Sequence, residues 1–260
     1  MYDIIEQNIK VNPLAEEIQL MGSNKDLIIL IHGYTGSPRE MSELGHALYE
    51  EFNYSIIIPR LPGHGTNADD FQSTDRKDWL RKIYELILNK QNDYENIHLI
   101  GLSMGALISM LASLQFKIKS LLLISPALYA KNKNIVFTHL LKYIKPIFSN
   151  DYEINKDIND PNLIELLEDY DCQEYSKQLS ELHKLMLKAR KNLSKITTKI
   201  KIIHSKEDEV VPLKAAQQIY KNISSLDKSL QVFKKSPHVI NYGPEKDKLL
   251  NEATHFLKEL

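Results

Sequence analysis

The sequence predicts an α/β fold, a mostly parallel central sheet with helices on both faces. Three observations lead there. Short β-branched or aliphatic runs alternate with helix-period segments, the runs are apolar enough to be covered on both faces, and 260 residues suffice to bury one large core. A single domain over residues 1–260 is therefore expected, with room for one insertion.

Six runs read as strands: Leu27 to His32 (LIILIH), Tyr54 to Pro59, Asn96 to Gly101, Ile118 to Ser125, Lys199 to Ser205 and Ser229 to Lys234. A segment around Ile18 to Met21 is read as a further edge strand. Between the first two runs, Ser37-Pro38-Arg39-Glu40 offers a serine N-cap, a first-turn proline and a glutamate placed to close a capping box, so a helix is expected to about Glu51. Others are expected near Asp75 to Asn89, Ser103 to Leu114, Leu213 to Ile223 and Pro244 to Leu260. In the last, Leu249, Leu250, Ala253, Phe256, Leu257 and Leu260 form one stripe for burial against the sheet.

From about Ala127 to Ile196 the alternation breaks. This stretch is several times longer than one crossover helix and reads as a cap of two or three helices, residues 127–196. Leu140, Leu141, Ile144, Ile147 and Phe148 make one apolar group; Leu179, Leu182, Leu185, Met186 and Leu187 make another, beyond the acidic stretch EDYDCQEY. Such faces either pack on the scaffold or line an apolar pocket.

Composition narrows the partners. Lys plus Arg number 33 and Asp plus Glu 34, a formal net charge of −1, so no global field draws the chain to nucleic acid or anionic lipid. A small, weakly charged substrate is expected. Cys172 is the single cysteine, which excludes an intramolecular disulfide and a thiolate metal cluster and fits a reducing compartment. The first twenty residues carry acids where a secretory signal needs a basic flank, so a cytoplasmic location is expected, and the sequons at Asn192 and Asn222 then carry no meaning. No apolar run approaches the roughly 20 residues that span a bilayer, so no integral membrane segment is expected.

The chemistry gathers at Gly101-Leu102-Ser103-Met104-Gly105, where a predicted strand meets a predicted helix. A tight turn there projects the Ser103 hydroxyl from the carboxyl edge of the sheet, as a nucleophile. The helix behind it starts with unpaired N–H groups at its positive dipole end, so the N–H of Met104 can face a developing oxyanion. A second donor is expected from the glycine-bracketed turn in LIHGYTG, the N–H of Tyr34. His32, ahead of that turn, reads as a conformational support.

The base must follow the last strand if the order is serine, acid, histidine, and His238 qualifies. His255 lies within a helix and His204 within a strand. The acid should follow the preceding strand, where Glu207, Asp208 and Glu209 stand in succession; spacing alone leaves the choice open. His64, in PGHG, lacks a second metal ligand at a useful local spacing and reads as a turn residue. No dinucleotide or phosphate loop is present, so neither a metal nor a cofactor is expected.

Five segments together resemble the α/β-hydrolase superfamily, and within it bacterial monoacylglycerol lipases and related carboxylesterases. HGYTGSPREM is similar to the oxyanion loop and its helix, PRLPGHGT to the loop after the next strand, GLSMGA to the nucleophile elbow, SKEDEVVP to the acid motif and SPHVI to the histidine loop. In the acid motif the aspartate stands four residues before the proline, which selects Asp208. Ala106 departs from a usual second glycine, and the cap is the least similar part. The resemblance implies an α/β-hydrolase fold and a Ser103, Asp208, His238 triad that cleaves carboxylic esters through an acyl-enzyme, with monoacylglycerols or other short- to medium-chain monoesters as substrates. A thioesterase, an acyltransferase or a carbon–carbon bond hydrolase would use the same residues. A receptor on this scaffold would need no base. A dehalogenase or an epoxide hydrolase would need an aspartate in place of Ser103.

Overall fold

The computed structural model describes residues 9–138, 147–149, 161, 164–166 and 173–260. Its main sheet holds seven strands: β1 (Ile18–Leu20), β2 (Asp26–Ile31), β3 (Ser55–Ile58), β4 (Asn96–Leu102), β5 (Ser120–Ile124), β8 (Lys199–Ser205) and β9 (Lys228–Phe233). They lie in the order β1-β3-β2-β4-β5-β8-β9. Only β1 runs antiparallel, pairing Ile18 with Ile58; the other pairings are parallel, as β-α-β crossovers require. All six expected strands and the edge strand are present.

Strand periodicity divides the core in two. In β2, Leu27, Ile29 and Ile31 join one apolar cluster and Ile28 and Leu30 join the other, so both faces of the strand are buried. On the second face lie α1 (Arg39–Phe52) and α7 (Lys246–Lys258), which contribute Met41, Leu44 and Leu48, and Leu249, Ala253, Phe256 and Leu257. The opposite face carries α3 (Arg76–Lys90), α4 (Met104–Ala112), α5 (Ser176–Asn192) and α6 (Lys214–Asn222). Burying each large aliphatic side chain contributes about 1.5–3 kcal/mol, which is why neighbouring β2 positions hold the helices to both sides.

Local signals set most helix ends. Asp75 and Asp78 form a reciprocal capping box at the start of α3. α1 stops at Asn53, which takes the left-handed conformation (φ 53°) and returns its N–H to the Tyr49 carbonyl. The expected box at the start of α1 is absent: Pro38 is the N-cap with no side-chain cap bond, and the Glu40 carboxylate accepts the N–H of Gly33 at 3.1 Å instead. A tertiary partner has taken the glutamate from its own helix. One short helix, α2 (Ala68–Ser73), was not signalled by periodicity.

Among the described residues, 127–196 hold one long helix, α5, 3₁₀ turns at Lys133–Phe137 and Leu193–Lys195, helical residues at 161 and 164–166, and a two-stranded antiparallel ribbon of β6 (Ile147–Ser149) and β7 (Gln173–Tyr175). Leu140, Leu141, Ile144 and Cys172, with most of the acidic stretch, lie outside the described residues. In the second apolar group Leu182, Leu185 and Met186 pack on the scaffold, whereas Leu187 faces outward. Buried Gln178 fastens α5 to the body by donating to the carbonyls of Phe71 and Thr74, and Arg76 pairs with Glu181. Among the described residues no helix is long and apolar enough to cross a membrane.

The strand order reverses direction at β2. β3 lies on one side of it and β4 on the other, so a crevice opens beyond the carboxyl ends of β2 and β4, the usual ligand position in open α/β sheets.

Candidate active site

Ser103 follows β4 at that crevice, between the strand and α4, with φ 54° and ψ −110°. A non-glycine residue with positive φ is strained, and here packing enforces it. A Cβ on Gly101 would lie 2.4 Å from the Gly105 carbonyl oxygen, and one on Gly105 2.1 Å from that of Ile31. The glycines therefore allow close approach of α4 to β2 and β4, while the serine carries the strained dihedral itself. All nine residues of α4 are buried, which fixes the turn from behind.

The structure brings the three predicted side chains into one line. Ser103 Oγ lies 2.9 Å from His238 Nε2, and His238 Nδ1 lies 2.8 Å from Asp208 Oδ2. Ser103 and His238 are 7% and 8% exposed and Asp208 only 1%, so the hydroxyl and imidazole reach the surface while the acid does not. Asp208 Oδ1 accepts the N–H groups of Val210 at 2.9 Å and Val211 at 2.7 Å, so both carboxylate oxygens are engaged. Burial alone would raise the Asp208 carboxyl. The hydrogen bond and charge of His238, then the Val211 N–H, outweigh it and hold the group below the usual carboxylate value.

The turn after β2 lies beside Ser103: a Cβ built on Gly33 would sit 3.7 Å from Ser103 Cβ. Two buried histidines hold this turn. His32 Nδ1 donates to the Gly33 carbonyl at 3.0 Å, while its Nε2 accepts the Leu61 N–H at 3.2 Å, which fixes one neutral tautomer. His64 Nε2 is bonded to the Tyr34 carbonyl. The carbonyls on both sides of the Tyr34 Cα are thus held from behind by imidazoles. Neither the Tyr34 nor the Met104 N–H is taken up by an acceptor among the described residues. Tyr34 continues outward, its ring edge-on to Phe71 and its hydroxyl donating to the Tyr175 carbonyl at 3.3 Å, where the ribbon enters α5.

A serine hydroxyl, an imidazole in line with it, a buried carboxylate and two N–H groups without an acceptor among the described residues, at a helix N-terminus and a glycine turn, can together carry acyl transfer. A model of the family described as serine aminopeptidase, S33, matches residues 22–245. The chain belongs to the serine aminopeptidase S33 family. Within reach of this S33 chain are a carboxylesterase of Bacillus subtilis (strain 168), 24% identical over 90% of this chain and 92% of that protein, and a thermostable monoacylglycerol lipase of Bacillus sp. (strain H-257), 28% identical over 88% and 89%. Among solved structures, one described with the metagenome-derived lipolytic enzymes LipS and LipT superposes with TM-score 0.85 at 23% identity, covering 96% of this chain and all of that one. The Paleococcus ferrophilus monoacylglycerol lipase superposes at 0.76 and 17%, covering 93% and 97%. The fold is that of the α/β-hydrolases.

Sequence reasoning missed several contacts in this S33 site. Glu209, beside the acid, accepts the main-chain N–H of His238 at 3.1 Å, and Ser125, at φ 44°, donates its hydroxyl to the His238 carbonyl at 2.8 Å. Glu245 accepts the N–H groups of Lys234 and Lys235 and the Ser236 hydroxyl, bracing the approach to the histidine. His204, set aside as a strand residue, is fully buried with Nε2 at 3.6 Å from Asp208 Oδ2. The remaining candidates are elsewhere: Glu207 is exposed, and His255 pairs with Glu259 on α7. A second serine, histidine, aspartate grouping, buried Ser120 and His98 with half-buried Asp26, sits at the opposite, amino edge of the sheet. It faces no helix N-terminus and reads as structural.

These groups make stability depend on pH in two stages. Burial holds His32, His98 and His204 below the ordinary imidazole value and His64 at about 4, so each takes up its proton at lower pH in the fold than in the unfolded chain. The unfolded chain gains protons from about pH 6.5 downward ahead of the fold, and stability falls over that range. The depressed carboxyls follow. For Glu245 slight burial acts upward but the N–H groups of Lys235 and Lys234 outweigh it, and Asp208 is held down by His238 as described above. Their contribution is complete above about pH 4 and is lost as pH falls through the lower folded values. Urea unfolding is expected to show a declining midpoint from pH 7 to 5 and a steeper decline below 4; a flat midpoint from 7 to 5 would contradict the neutral histidines.

Proposed function

We propose that the chain hydrolyses carboxylic esters through a covalent acyl-enzyme, with monoacylglycerols and other short- to medium-chain monoesters as substrates. The observation that carries this is the continuous line from Ser103 Oγ through His238 to Asp208, beside two N–H groups with no acceptor among the described residues. The named activities of the two Bacillus relatives support the ester class.

In this reading Ser103 Oγ attacks the ester carbonyl as His238 Nε2 takes its proton, and the charge on the carbonyl oxygen rests on the N–H groups of Tyr34 and Met104. Collapse breaks the bond to the alcohol, which receives the proton from His238. Water then attacks the acyl-enzyme, His238 accepting its proton and returning it to Ser103 as the carboxylic acid departs. Asp208 keeps its proton-free state throughout, holding Nδ1–H and balancing the imidazolium. Residues 127–196 act as the cap, and Tyr34, Phe71 and Tyr175 pack as a buried aromatic seam that joins it to the body.

A fluorophosphonate is expected to label Ser103 stoichiometrically, and turnover across glycerol monoesters of rising chain length should exceed that of acyl thioesters and of aminoacyl anilides. Absence of an adduct would favour a receptor. Preference for thioesters or anilides would overturn the substrate assignment while leaving the acyl-enzyme intact.

A further inference from the structure

The carboxylate of Glu40 lies closer to the reaction centre than its place in the first turn of α1 suggests. It accepts the Gly33 N–H at 3.1 Å. A Cβ built on Gly36 would fall 2.0 Å from its Oε2, so the carboxylate lies against Gly36 and spans both ends of the turn that carries Tyr34. A Cβ on Gly33 would be 3.5 Å from that same oxygen and 3.7 Å from Ser103 Cβ. From the other side, the main-chain carbonyl of Glu40 accepts a hydrogen bond from Asn241 Nδ2. Asn241 is buried, three residues beyond His238, in the 3₁₀ turn Ile240–Tyr242. One helix start thus touches the loops on both sides of the nucleophile.

The peptide geometry gives this contact a consequence. The proposed donor, the Tyr34 N–H, shares an amide with the Gly33 carbonyl, which His32 holds. The amide before it presents the Gly33 N–H, which Glu40 holds. Between the two planes lie only the φ and ψ of a glycine, the residue least able to restrain them itself. Without the carboxylate, the Tyr34 amide is anchored at one end only. The start of α1 favours negative charge at this position.

We propose that Glu40 is a positioning residue for the oxyanion loop: its carboxylate fixes the Gly33 peptide so that the Tyr34 N–H stays directed at the developing oxyanion, and its main chain couples that loop to the His238 loop through Asn241. This rests on the ester-hydrolase reading.

The test uses the full chain and three variants. Glu40→Met keeps length and helix compatibility but has no oxygen acceptor, Glu40→Ala removes the side chain, and Glu40→Gln restores an acceptor of the same reach. Loss of a whole oxyanion donor costs on the order of 10²- to 10³-fold in turnover; loosening one is expected to lower kcat per fluorophosphonate-titrated site by about 10- to 100-fold in the Met and Ala variants, with KM within about twofold of the parent. The rate of phosphonylation should fall in parallel, and Glu40→Gln should recover kcat to within about threefold. A purely structural role would lower the titratable fraction and the unfolding midpoint but leave kcat per site intact. That result in the Met variant, or a Gln variant as impaired as Met, overturns the proposal while the parent still labels and turns over. A parent that takes no label and cleaves no ester overturns the hydrolase reading, and this proposal with it.

Discussion

Ser103→Ala is expected to lower ester turnover on the order of 10⁶-fold and to abolish labelling by a fluorophosphonate, with the fold unchanged. The size follows from the geometry. His238 Nε2 has one partner in the line, the Ser103 hydroxyl at 2.9 Å, and without that oxygen no acyl-enzyme can form. Residual catalysis would come from water activated by His238 and from the N–H groups of Tyr34 and Met104, which the substitution leaves in place. Alanine carries the same positive φ as serine, so the turn gains no new clash and the circular dichroism and unfolding midpoint should match the parent closely. Turnover within tenfold of the parent would place the nucleophile elsewhere.

Asp208→Asn is expected to cost about 10⁴-fold in kcat, and the reason lies in the orientation of the new amide. Asp208 Oδ1 accepts two N–H groups, those of Val210 and Val211. Asparagine must turn its single oxygen toward those two donors, which leaves its NH₂ facing His238 Nδ1. Two N–H groups cannot face each other, so the imidazole moves its proton to Nε2, where it confronts Ser103 and can no longer accept. The base is lost by tautomer alone. Kinetics across pH 6 to 9 should show the deficit throughout, and a variant within about 30-fold of the parent would show that the acid orients nothing.

Much of this was legible in the chain, for identifiable reasons. Strands such as Leu27 to Ile31 announce themselves because both of their faces are buried, and the elbow does because a strand, a glycine pair and an apolar helix occur in one unbroken stretch. The acid needed more, since Glu207, Asp208 and Glu209 are chemically alike and only the resemblance to the family's acid motif, with its aspartate four residues before Pro212, separates them. What escaped is tertiary. Glu40 fits a capping box by sequence, yet a main-chain N–H seven residues earlier competes for its carboxylate and wins. Glu209 reaches His238 across 29 positions, and the three-residue strands of the ribbon are too short to show any period.

The bend at residue 103 has a last implication, for how such a chain can change. At φ 54° a glycine would relieve the backbone, so under the proposed mechanism the variant that folds most comfortably at this position is an inert one. Drift toward greater robustness and retention of activity pull in opposite directions at a single codon. Gains in durability are therefore to be found far from the crevice, at positions such as Leu226, whose side chain stands wholly in solvent.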